Sequence, residues 1–126
     1  MSRNLSKLFF CSALLAQAGP LLQHAGTRAQ PVPNPFAGDA IAARAGAKLF
    51  QRECAGCHGA QGQGLRRAPA LLDERVAQAP PGALFWILHN GSRDRRMPSF
   101  AHLPEAQRWQ IITFLQRAMP AKTAGQ

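Results

Sequence analysis

Tyrosine is absent from this chain of 126 residues, and acids are scarce: six Asp and Glu stand against fifteen Lys and Arg, a formal net charge of +9. With 17% charged and 46% hydrophobic residues, the composition excludes a solvated, acidic, disordered chain. No apolar run approaches the roughly 20 residues of a membrane-spanning helix, and ten prolines with eleven glycines exclude a long coiled coil. Strand-period alternation of useful length, internal repeats and the phosphate-cradling patterns GxGxxG and GxxxxGK are missing as well. The cysteines, Cys11, Cys54 and Cys57, are too few and too unevenly spaced for a secreted disulfide framework. What is left is a soluble, loop-rich, helical chain of one ordinary domain, with a basic balance suited to acidic partners.

The first 29 residues have the anatomy of a secretory signal: Arg3 and Lys7, an apolar stretch from Leu8 to Ala16, then small residues at Ala16 and Ala18. Cleavage is expected after residue 18 or after residue 29, with a retained membrane anchor as the competing reading. Such a leader implies export to a bacterial periplasm. Cys11 and His24 fall within it and are not site candidates. Gln30 to Phe36 reads QPVPNPF, three prolines in five positions, so residues 30–38 are expected to be an extended linker. The folded domain is expected over 39–119, with 120–126 as a tail.

Within that domain Asp39 suits a helix N-cap, and Ile41, Ala45, Leu49 and Phe50 recur near helical spacing across Ala40–Arg52. Gly56 to Pro69 is glycine-rich and polar, which argues for a loop. A short middle helix is expected after Pro80 and Pro81, carrying Leu84, Phe85, Ile87 and Leu88 and stopping at Asn90 and Gly91. Pro104 and Glu105 suit the first turn of a last helix, whose apolar face holds Trp109, Ile111, Ile112, Phe114, Leu115 and Ala118. The expected fold class is therefore all-α.

The residues that carry chemistry are Cys54, Ala55, Gly56, Cys57 and His58, a CxxCH motif. Two residues between the thiols let both sulfurs form thioethers at one edge of a haem, and the adjoining imidazole can reach its iron. Zinc would need a second ligand pair, and the chain has no other CxxC and no HxxxH. A thioredoxin-like dithiol would sit in a βαβ setting that this sequence lacks. A buried structural cysteine pair is the remaining bland reading. Met97 is the single methionine between this motif and the last helix, which makes it the candidate sixth ligand. A core role for Met97, or ligation by His89 or His102, stays open.

Taken together, the chain from Asp39 to about Arg117 resembles a small class I cytochrome c. The resemblance rests on Gly46 and Phe50 before the CxxCH, Gly59 after it, Pro69 and Leu71 beyond the loop, the Met97–Pro98 pair, and Ile111 to Leu115 in the last helix. It implies a cytochrome c fold, three main helices and loops wrapped around one covalently bound haem c. It implies Cys54 and Cys57 as the attachment points, and His58 and Met97 as the axial ligands. It further implies that the Pro69 carbonyl accepts a hydrogen bond from His58, and that Gly46 and Phe114 meet where the first and last helices cross. Leu71, Phe85, Leu88 and Phe100 are expected to keep water from the haem.

The function so implied is one-electron shuttling between periplasmic or membrane-bound redox enzymes, with no substrate chemistry of the chain's own. The alternatives are a haem enzyme or gas sensor with a labile Met97, or a dedicated cytochrome subunit of a dehydrogenase or oxidase. Arg66 and Arg67, with Arg93, Arg95 and Arg96 just before Met97, are expected to rim the haem edge and steer redox partners with an acidic docking face. Nucleic acid is not an expected partner, because these cations are not interleaved with exposed aromatics or a reading helix. Peripheral membrane contact fits the charge, and the expected state is a monomer or a subunit of a larger enzyme.

Overall fold

The structure, a computed structural model, describes residues 31–118. The leader read over 1–29, Gln30, Met119 and the tail at 120–126 lie outside the described residues.

Among the described residues five helices follow in order: α1 (Ala40–Glu53), α2 (Ala55–His58), α3 (Glu74–Ala77), α4 (Pro81–Asn90) and α5 (Glu105–Ala118). Among the described residues there is no strand, only an isolated bridge between Leu65 and Ala68. The three expected helices are α1, α4 and α5, and the two single-turn helices punctuate the loops between them. Asp39 caps α1 with its Oδ1, which accepts the backbone N–H of Ile41 at 2.7 Å and of Ala42 at 3.1 Å. Pro81 opens α4 at a position where no backbone N–H is needed.

α1 packs chiefly against α5. Gly46 makes that approach possible, because a Cβ there would overlap the Gln110 carbonyl and come within 2.9 Å of Phe114 Cβ. The rings of Phe50 and Phe114 fill the adjoining space at 5.3 Å between centroids. Phe50, Ile111 and Ile112 are almost fully buried beside Leu49 and Leu115, each contributing roughly 1.5–3 kcal/mol of apolar burial. The buried side of α1 is Ala42, Gly46, Leu49 and Phe50. Ile41, expected on that face, instead projects into solvent at 71% exposure.

Two polar groups in this core were not anticipated. Thr113 is buried on α5, where its hydroxyl donates to Trp109 O at 2.9 Å and accepts Asn34 Nδ2 at 2.9 Å. Asn34 Oδ1 in turn accepts the N–H of Phe36, so the proline-rich segment is anchored to α5 at its midpoint. Arg108 is also buried, with its guanidinium 4.7 Å from the centre of the Phe85 ring and Nη1 2.6 Å from His89 Nδ1. A guanidinium can only donate, so His89 Nδ1 is the acceptor.

Candidate haem site

The end of α1 runs into the CxxCH motif without a break. Cys54 caps α1 and starts the single turn α2, with the N–H of both Cys57 and His58 donating to the Cys54 carbonyl, at 3.2 and 3.0 Å. This turn fixes both thiols and the imidazole on one short rigid element. Cys54 is buried and Cys57 exposed, and no disulfide joins the two. Burial, reinforced by Glu53 and Cys57, pushes the Cys54 thiol up to about 11, so it is neutral near pH 7.

His58 is buried, and its Nδ1 lies 2.8 Å from the Pro69 carbonyl. A carbonyl only accepts, so Nδ1 carries the proton and Nε2 is left with a bare lone pair, the form an imidazole needs to bind a metal. The loop that brings Pro69 back is closed by its own backbone: Gly64 N–H donates to His58 O at 2.8 Å, and Leu71 and Leu72 N–H both donate to Gly62 O.

These residues open onto a cavity of about 990 Å³, at the upper end of the range for small-molecule sites. Cys54, Cys57, His58, Pro69 and Met97 all line it, although they come from separate stretches of the chain. Leu71, Leu88 and Phe100 are in its wall as expected, joined by Ile111, Ile112 and Leu115 from the inner face of α5. Phe85 is not in the wall: its ring stacks on Trp109 at 4.3 Å and lies under Arg108 instead. His89 and His102 are not in the wall either. His89 is turned to Arg108, and His102 lies 5.9 Å from Phe100, ring to ring.

Of the five expected rim cations, Arg66, Arg67 and Arg96 line the cavity, whereas Arg93 and Arg95 do not. Arg75 joins them, a residue the sequence gave no reason to single out. Arg75 pairs with Asp73 at 2.8 Å and Arg96 with Asp94 at 3.3 Å. Among the described residues, neither Arg66 nor Arg67 pairs with an acid.

The donor set fits a covalently held haem. Two thiols, an imidazole whose Nδ1 is taken by the Pro69 carbonyl, and a methionine line one large, mainly apolar space. It does not fit bare zinc, since the described residues contain no group of three or more His, Cys, Asp or Glu placed to hold a metal ion. No helix among the described residues is long and apolar enough to cross a membrane.

Comparison with known proteins agrees with this geometry. No curated protein matches the chain. Among solved structures, cytochrome CL of the marine methylotrophic bacterium Methylophaga aminisulfidivorans is similar in fold, with a TM-score of 0.57 and 24% sequence identity over 86% of this chain and 69% of that one. Residues 41–115 match the family described as cytochrome c oxidase, cbb3-type, subunit III, a span running from the first turn of α1 through the CxxCH and Met97 to the inner face of α5. The chain belongs to that family, and is a small monohaem c-type cytochrome, an electron carrier with covalently bound haem c.

Proposed function

We propose that Cys54 and Cys57 hold haem c by thioether bonds, that His58 Nε2 and the Met97 thioether fill the two axial positions, and that the exported chain carries single electrons in the periplasm without substrate chemistry of its own. When bound, the haem supplies a one-electron ferric–ferrous couple. The observation that carries this reading is the 2.8 Å contact between His58 Nδ1 and Pro69 O in the wall that Met97 shares. That bond orients the imidazole and raises its donor strength. Met97, as a soft neutral donor, favours the ferrous state and so raises the reduction potential relative to a pair of imidazoles. With His58 and Met97 both holding the iron, the chain would leave no open coordination site for a substrate. Leu71, Leu88, Phe100 and the α5 isoleucines keep water away, which lowers the reorganisation that accompanies a change of charge.

Arg66 and Arg67 orient the encounter with the partner, a redox protein with an acidic docking face. Among the described residues they pair with no acid, whereas Arg75 and Arg96 are partly neutralised by their own aspartates. Long-range steering therefore comes mainly from the 65–68 side of the cavity mouth.

The test is Met97→Ala in haem-loaded protein. The sulfur-to-iron charge-transfer band is expected to disappear and the potential to fall; an unchanged axial spectrum removes Met97 from the site. For docking, Arg66→Gln with Arg67→Gln is expected to slow electron transfer to an acidic partner several-fold at low salt and to flatten its dependence on ionic strength. An unaltered salt dependence refutes the assignment.

A further inference from the structure

α4 is capped at its C-terminus by Gly91, and within six residues the chain turns back to place Met97 in the cavity wall. Gly91 adopts φ 77°, and a Cβ there would stand 2.5 Å from the Met97 carbonyl oxygen, so the turn closes against bare backbone. Ser92 completes the closure twice over. Its N–H donates to Met97 O at 3.0 Å, and its Oγ accepts the Met97 N–H at 3.0 Å. The hydroxyl proton is given to Asp94 Oδ1 at 2.6 Å, and that same oxygen accepts the N–H of Arg96 at 3.2 Å. A serine hydroxyl has one proton; with Asp94 taking it, the oxygen's lone pairs are left for Met97.

Both backbone polar groups of Met97 are thus satisfied by a single residue five positions earlier. Pro98 adds a further restriction by disfavouring helical backbone at Met97. Arg95, at the tip, takes φ 59°, a left-handed conformation unusual for a residue with a side chain and kept only where the surroundings over-determine it. Ser92 N–H, Ser92 O, Ser92 Oγ and Asp94 Oδ1 all take part in bonds within this six-residue loop.

From this geometry we infer that Ser92 and Asp94 are positioning residues: they clamp the backbone of Met97, hold its thioether facing the cavity, and so exclude outside ligands from the iron. The inference rests on the reading of Met97 as the sixth ligand. A thioether is a weak, neutral donor on a flexible stem of three rotatable bonds. Its occupancy of a metal site therefore depends on how little freedom is lost when it binds, and a backbone already closed by hydrogen bonds has little left to lose. Released from the clamp, Met97 would compete less well with any imidazole or small anion in solution.

The experiment is a titration of the ferric, haem-loaded protein with imidazole, followed by the absorption spectrum. Ser92→Ala is expected to bind imidazole about tenfold more tightly than the unaltered protein, the scale set by losing the part-buried hydrogen bond to the Met97 N–H. It is expected to keep its sulfur-to-iron band when imidazole is absent. Asp94→Ala should show a smaller increase, and Ser92→Thr, which retains a hydroxyl, should stay near the parent. Asn34→Ala, which loosens the anchor on α5 away from the cavity, should lower thermal stability without changing imidazole affinity.

If Met97→Ala tightens imidazole binding while Ser92→Ala does not, the positioning role is overturned and the ligand assignment stands. If Met97→Ala also leaves imidazole binding unchanged, the ligand assignment itself falls, and the clamp's role with it. Should Ser92→Ala fail to fold, amide exchange in the unaltered ferrous protein decides the matter. The Met97 N–H is expected to exchange at least about tenfold more slowly than the N–H of the exposed Arg93, the protection of one closed backbone hydrogen bond. Equal exchange overturns the clamp.

Discussion

At the crossing of α1 and α5, Phe50 and Ile112 are wholly out of solvent and the two backbones meet over a glycine. In the stretches 59–73 and 91–104, by contrast, shape comes from turns and from hydrogen bonds, many between residues a few positions apart. The first region is stabilised by apolar area, which is non-directional but demands close fit. The second gains only about 0.5–1.5 kcal/mol from each hydrogen bond, and several of its side chains, Pro69, Leu71, Met97 and Phe100 among them, line the cavity. Different sensitivities follow: the crossing should suffer most from an added methyl at Gly46, and the loops from loss of a hydrogen bond that closes a turn or caps a helix.

The largest effect is expected from Gly46→Ala. The new Cβ has the Gln110 carbonyl in its way, and backbone cannot rotate aside as a side chain can, so the cost should be about 3 kcal/mol, the top of the usual overpacking range. Thermal or urea unfolding of the haem-loaded protein measures it, and a loss below ~1 kcal/mol would mean that the helices slide apart freely and that the crossing is not close-fitted.

A smaller effect sharpens the contrast from the other side. Asp73 caps α3, accepting the Val76 N–H at 3.0 Å while Arg75 pairs with its other oxygen. Asp73→Ala should cost about 1 kcal/mol, the usual worth of an N-cap. The Val76 N–H first, and Arg75 second, hold the Asp73 carboxyl below its ordinary value of 3.8. A carboxyl lowered in the folded state contributes its stability above the unfolded value and loses it as pH falls through the folded one. The difference in melting temperature between parent and Asp73→Ala should therefore be constant at neutral pH and shrink on acidification below 3.8. A difference that persists into strong acid would show that the cap acts through something other than its charge.

Much of this was legible beforehand, for reasons that differ by region. The helix boundaries could be read because Asp39, Pro81, Gly91 and Pro104 signal locally, through capping and fixed φ, without reference to the rest of the fold. The haem motif was legible because its five residues are contiguous and their chemistry is carried by spacing. Pro69 and Met97 could be named only through the resemblance and the scarcity of methionine, since nothing in their immediate neighbours states what they face. Ile41 was misjudged because a stripe of period 3.6 leaves a choice of register, and Gly46, rather than bulk, determines which side of α1 lies against α5. Phe85 was misplaced because α4 presents apolar residues to two neighbours at once, the cavity and Trp109, and periodicity does not distinguish them. Ser92 and Asp94 gave no signal beyond that of ordinary turn residues.

By itself, the amino-acid order determined that this chain is helical, that it carries a CxxCH motif at Cys54, Cys57 and His58, and where each long helix starts and stops, because all of these depend on residues within a turn or two of each other. Tertiary structure alone decided which nitrogen of His58 is protonated, which arginines face the cavity with their charge uncancelled, and that Ser92 closes on Met97. Those are matters of distance between separated groups, and hydrogen bonds and ion pairs act only over a few ångströms that the fold must first bring about.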